Sequence, residues 1–314
     1  MNLRRAVAMC AASCALLPLI PASASAARLD ENEIDTGLGV TLHERPGDPK
    51  KVTAIVGAKP HLRTADDTFE VVPGYFDVAV APKGHRVAGL PENPKGRYDS
   101  VAIIDAAAQQ TTTVRTSKLP FRTTIAYWSA SGSKLALTVE KTDGKKWLPV
   151  GFATADVRAK AAKVVLLKDL SKDAVFQWTP DGRHLMSSYR DGVRFYRPDG
   201  KVVRTLPGVG SDIGGETAFS PSGKLLGTFC PARYYESFCT WDLATGKLRN
   251  RVDIAVEGSY GWWDDKHLLA AVKGGSGYQM VVVDLKGNVV RTVADISSSA
   301  WKKDEVYLSY TDAG

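Results

Sequence analysis

Hydrophobic residues in this chain fall in short runs, each broken by a turn. A β-branched or aromatic run ends on Pro-Asp-Gly or Ser-Gly, and a second apolar run follows at once. This is the pattern of a β-hairpin whose turn residue is free to take a positive φ. The segments 176–185, 217–226, 126–135 and 78–87 match position for position. Each has an aromatic or aliphatic residue (Trp178, Phe219, Trp128, Val80), then a turn glycine (Gly182, Gly223, Gly132, Gly84), then a closing apolar residue (Leu185, Leu226, Leu135, Val87). Two degenerate copies follow at 262–268 and 301–306. The register positions are 80, 128, 178, 219, 262 and 301, spaced 39 to 50 residues apart, which is blade length for a four-stranded β-propeller.

A second hairpin follows the first in several copies: 192–206 around the turn 198–200, 238–252 around 244–246, and 279–293 around 286–288. Helical periodicity is almost absent. The pattern therefore predicts an all-β fold, a six-bladed β-propeller of four-stranded blades. The sixth copy is two strands short, and residues 37–57 supply two orphan strands, 39–44 and 51–56, around a turn at 46–48. These are expected to complete the C-terminal blade (298–310) as two plus two strands. Such closure hides sheet edges and makes 27–314 one domain.

The turns at 179–183 and 220–224 resemble the repeat of TolB-type six-bladed propellers, and 240–248, with Trp241-Asp242, resembles a WD40-like blade end. The resemblance covers nearly the whole chain after the first 26 residues. It implies architecture rather than activity, because propellers host many unrelated functions. The Gly-His pair of WD40 blades is absent, and so is the helical domain that precedes the TolB propeller, so no TolB-like role is carried over.

Residues 1–26 read as a secretory signal, with Arg4 and Arg5 ahead of an apolar stretch from Ala6 to Ile20 and the small residues Ala24 and Ala26 before the cut. This places the mature chain outside the cytoplasm, secreted or in the envelope. No later apolar run is long enough to span a membrane. Cys10 and Cys14 leave with the signal, and the remaining pair, Cys230 and Cys239, is expected to form a disulfide. The net charge of +7 falls to +5 without Arg4 and Arg5, which argues against a nucleic-acid partner.

Catalytic motifs such as Gly-x-Ser-x-Gly and His-Glu-x-x-His are absent, and the five histidines (His43, His61, His85, His184, His267) are scattered. No metal ligand set or cofactor is called for. The recurring aromatics Trp128, Trp178, Phe219, Trp262 and Trp301 are expected to pack between blades, and Ser131, Asp181, Ser222, Asp265 and Asp304 to be turn residues. Blade-to-blade loops and loops joining second to third strands should share one face, at 59–75, 91–99, 116–123, 141–147, 207–216 and 230–237. Candidate binding residues there are Arg97, Tyr98, Arg122, Trp147, Arg233, Tyr234 and Tyr235, since Tyr, Trp and Arg are common interface anchors. The reading is a monomeric, non-catalytic module recognising a protein. The alternatives are a hydrolase or lyase working at the channel mouth, or a glycan-binding module that stacks sugars on Tyr234, Tyr235 and Trp147.

Overall fold

The computed structural model describes residues 31–234, 237–303 and 305–313. Residues 1–26, expected from the sequence to be a secretory signal, and Tyr235 lie outside them. Six antiparallel sheets stand in a ring, a six-bladed β-propeller. Blade 1 runs Tyr75–Val80, Arg86–Pro91, Tyr98–Asp105 and Gln110–Lys118 from axis to rim. Blade 2 is Phe121–Trp128, Lys134–Thr142, Trp147–Asp156 and Ala161–Leu166. Blade 3 is Gln177–Trp178, Leu185–Tyr189, Gly192–Tyr196 and Val202–Leu206, and blade 4 is Ser211–Asp212, Leu225–Phe229, Ser237–Asp242 and Leu248–Asp253. Blade 5 is Gly258–Asp264, His267–Gly274, Gly277–Asp284 and Val289–Ile296.

The N-terminal strands do close the ring, by a different division from two plus two. Blade 6 takes its innermost strand, Tyr307–Asp312, from the C-terminal end and three from the N-terminal end: Lys50–Val56, His61–Arg63 and Phe69–Val71. The orphan strands expected to form one hairpin belong to different sheets. Val40–Glu44 pairs with Val289–Ile296 and, with Asn32–Asp35 outside it, extends blade 5 to six strands. The segment between them is a crossing held by Arg291, which donates to the His43 carbonyl and to Asp48 at 2.8 Å each. Leu42 is fully buried there, so burial against blade 5 outweighs local hairpin pairing.

The sixth copy also shifts register. Trp301 sits in the short helix Ser298–Lys302 and stacks on Tyr278 with ring centroids 4.8 Å apart. Its expected place between blades belongs to Tyr310, which lies on the innermost strand and pairs with Val52 of the second. Asp304 lies outside the described residues. In the other copies the packing is as expected. Trp128 donates its indole N–H to the Ala79 carbonyl of blade 1 at 2.8 Å, and Trp262 donates to the Ala218 carbonyl of blade 4 at 3.0 Å. Turn residues act as turn residues: Asp181 accepts from the Thr179 hydroxyl and the Arg183 N–H. The core is accordingly a ring of interfaces between neighbouring blades. Between blades 2 and 3, for example, Phe152, Phe176 and Tyr196 form a buried aromatic triangle.

Candidate functional site

Because neighbouring strands are antiparallel, the start of every innermost strand lies on the same face as the loops joining second to third strands. Inside that face is a cavity of about 450 Å³ on the ring axis, walled by the innermost strands of blades 1, 2, 4, 5 and 6. A narrower cavity of about 190 Å³ continues toward the opposite face. Glu216 lines both.

The wall follows from the repeat. With Tyr310 standing in for Trp301, counting back three residues from the register positions of blades 1, 2, 4, 5 and 6 gives Asp77, Ile125, Glu216, Ser259 and Tyr307, all lining the upper cavity, and counting back one in blades 1, 2 and 6 gives Ala79, Tyr127 and Ser309. Bulges aim some of these side chains. Pairing in blade 1 skips between Tyr75 and Asp77, and Phe76 is left exposed at the cavity. Pairing in blade 2 skips at Ile125, which has φ +48°, a conformation that β-branched residues rarely adopt and that tends to mark functional positions. Glu216 follows Gly214 and Gly215, and a Cβ on Gly215 would lie 2.2 Å from the Tyr260 carbonyl oxygen. Only glycine permits this approach of blade 4 to blade 5.

The chemistry of this wall is acidic. Burial pushes the Glu216 carboxyl from 4.5 up to about 7, a rise to which Asp77 adds and which Lys50 and the 2.6 Å hydrogen bond from the Ser309 hydroxyl oppose. Burial also pushes Asp77 up to about 6. Asp212 rises for the same reason, although it accepts from the Ser188 hydroxyl at 2.7 Å and the Gly214 N–H at 3.1 Å. Tyr127 and Tyr307 are raised by burial first and then by these carboxylates. Perturbed acids converging in a cleft are a signature of functional sites. No histidine lines the cavity; His43 instead bonds Asp295 at 2.7 Å on the N-terminal strands, and His267 contacts Asp264 at 2.9 Å. Among the described residues, no three His, Cys, Asp or Glu side chains are grouped to hold a metal.

Of the described residues singled out in the sequence, none lines this cavity. Two of them meet: the Arg122 guanidinium covers the Trp147 ring at 4.0 Å and bonds Glu140 at 2.8 Å. Tyr98 is exposed, with Arg115 5.3 Å from its ring centroid. Arg97 is exposed, and its carbonyl accepts from the Leu119 N–H. Cys230 and Cys239 are bonded, with Cα atoms 5.0 Å apart. Inside that loop Arg233 is in the turn Ala232–Tyr234, and half-buried Tyr234 packs on the core of blades 3 to 5 with Arg251 at 5.9 Å. Tyr234 therefore belongs to blade 4, while Tyr98, Arg122 and Trp147 belong to blades 1 and 2.

No known protein family matches the chain, and no curated protein does. Many solved structures share its fold. An oligogalacturonate lyase in complex with manganese aligns over 84% of this chain and 84% of its own, with TM-score 0.55 and 13% identity. Kuenenia stuttgartiensis hydrazine synthase aligns over 69% of this chain, with TM-score 0.44 and 15% identity, and this chain spans 65% of that one. The likeness to the lyase is one of fold.

Proposed function

We propose that the chain is an exported propeller, kin to the TolB-like and WD40-like repeats, that recognises a protein outside the cytoplasm through the channel-mouth face of blades 1 and 2. The observation that carries this reading is the clustering of exposed large apolar side chains. Phe76, Tyr98, Leu119, Ile125, Trp147 and Leu148 are each more than a third exposed, and they lie on the innermost strands of blades 1 and 2 (Phe76, Ile125), at the start of their third strands (Tyr98, Trp147, Leu148) and in the loop between the two blades (Leu119). Contiguous apolar surface of this kind marks interaction sites. Arg122, already stacked on Trp147, loses little side-chain freedom when a partner docks. The disulfide is compatible with an oxidising compartment, and no helix among the described residues is long and apolar enough to cross a membrane.

The test is capture from the native culture medium and envelope fraction by the mature chain, set beside the Tyr98→Ala, Trp147→Ala double variant. Both side chains are exposed and lie outside the buried core, so the variant should fold and lose a specific captured protein. An identical set of captured proteins would remove this face as the binding site. A second reading, catalysis at the channel mouth, is favoured by Asp77 and Glu216, acids that hold protons near neutral pH. Turnover abolished by Glu216→Gln but not by the double variant would favour it.

A further inference from the structure

The chain gives its other deeply placed carboxylates partners. Glu44 makes two bonds to Arg63, Asp48 is paired with Arg291, and Asp99 accepts both the N–H and the hydroxyl of Thr123. The axial cavity breaks this habit. Asp77 has only the Val78 backbone N–H beside it, and Glu216 has only the Ser309 hydroxyl. Among the described residues, no Lys, Arg or His lines the cavity. Lys50, whose charge reaches Glu216, lines the lower cavity and is bonded to Asp312 at 3.4 Å. A second, independent observation lies in the same wall. Thr124 is nine-tenths buried, and its hydroxyl has no hydrogen-bond partner. A buried hydroxyl without a partner, and half-buried carboxylates that each have one neutral donor and no cation bonded to them, are costly unless something else satisfies them.

We propose that the upper axial cavity binds a small organic ammonium ion, held between Asp77 and Glu216. Blades 1 and 4 stand opposite each other in the six-bladed ring, so these two carboxylates face across the axis and act on one group from two sides. An ammonium carries three N–H donors and accepts nothing, which suits two carboxylates with no cation bonded to them. The remaining wall suits an alkyl chain and a cation: Phe76 and Ile125 are apolar, and Tyr127 and Tyr307 present rings. A hard metal ion asks for six or more oxygen ligands, and among the described residues no group of three carboxylates, His or Cys is arranged for one. The cavity, about 450 Å³, is the size of small-molecule sites.

The ion exchanges with protons. The groups that face Glu216 and Asp77 are each other, Tyr127 with Asp212 behind it, Tyr307, Ser259, Ser309 and, from below, Lys50. Only the carboxyls change charge between about pH 5 and 8. The ammonium binds their ionised forms, so binding releases protons and strengthens as pH rises.

The experiment is calorimetric titration of the mature chain with n-butylammonium chloride and, separately, with neutral 1-butanol, in buffers of different ionisation enthalpy. Butylammonium should bind at about pH 8 with affinity falling about tenfold per pH unit between about 7 and 6 and more steeply below 6, where Asp77 is protonated as well, protons should be released, and butanol should bind far more weakly. Asp77→Asn and Glu216→Gln, each checked by near-ultraviolet circular dichroism, should weaken binding by tenfold or more. The proposal is overturned if butylammonium does not bind at about pH 8, if butanol binds equally, if affinity is independent of pH, or if the folded single variants bind unchanged. The pH profile of the wild-type chain decides the matter even if a variant does not fold. The variants of the docking face leave Asp77 and Glu216 in place, so failure here is separable from failure of the recognition reading.

Discussion

Replacing Glu216 by Gln should make the protein more stable at neutral and alkaline pH. The carboxyl goes from 4.5 in the open chain to about 7 in the fold, chiefly because it is buried. An acid with a raised folded value favours the folded state while it is protonated in both states, below 4.5. That advantage is lost as pH climbs through 7, where the folded state must hold a desolvated charge. At 1.36 kcal/mol per pKa unit, the cost at pH 8 is about 3 kcal/mol, a ceiling because solvent reaching the channel screens the charge. Glutamine is nearly isosteric and has no charge, and its amide oxygen accepts from the Ser309 hydroxyl as the carboxylate does. Asp77, raised from 3.8 to about 6, destabilises in the same sense and remains in both proteins. Surface acids held low by their partners, Asp253 and Asp284 among them, lose their stabilisation only as pH falls toward the acid range, and they too are common to both chains. Urea unfolding followed by tryptophan fluorescence, compared between wild type and variant from about pH 4 to 8.5, isolates the Glu216 contribution. The difference should be close to zero at the acid end and grow to about 3 kcal/mol in favour of Gln at the alkaline end. Parallel curves, or a variant uniformly less stable, would refute the assignment of a desolvated, cation-free carboxyl to the channel.

Trp262→Phe removes the indole N–H that donates to the Ala218 carbonyl of the neighbouring blade, while that carbonyl keeps the Gly227 N–H as its other donor, so the change should cost about 1 kcal/mol, read as a lower urea midpoint with unchanged slope. Replacing Cys230 and Cys239 together by Ser opens a loop whose ends are nine positions apart. By loop-closure entropy this should cost on the order of 2–3 kcal/mol, and adding reductant to the wild-type chain should reproduce the loss, whereas the variant should not respond to it.

The blades were legible because each repeats a local device: an apolar register residue, a turn with a positive-φ glycine, and a closing apolar residue. Gly84, Gly132, Gly182 and Gly223 all have φ between +63° and +75°, as the turn pattern requires. The closing blade was less legible. Trp301 offers the right residue type near the right spacing, yet it caps the edge of blade 5, and Tyr310, nine positions later, does the packing. The strands 40–44 and 50–56 look like a hairpin by composition, and nothing local shows that Arg291, more than two hundred positions away, splits them. The channel site escaped for a related reason. Asp77 and Glu216 are each one acid in a blade whose counterparts at that position are Ile125, Ser259 and Tyr307, so no local motif forms. The signal was there only in register, as a carboxylate three residues before the anchor in two opposite blades. Surface anchors such as Arg122 and Trp147 were recognisable as types, and their mutual stacking needed the pairing of three neighbouring strands.

The strand Tyr307–Asp312 is the last of the described strands in chain order and the innermost of its blade, and Tyr307 and Ser309 line the axial cavity beside Asp77. During synthesis, then, the carboxylates of blades 1 and 4 are made long before the wall that encloses them. A chain released before residue 309 would carry five formed blades and the whole apolar face, yet it would have an open slot where the cavity should be. Occupancy of the channel by the ammonium ion proposed above would therefore report that the ring has closed, and would separate closed rings from chains cut short of the innermost strand of blade 6.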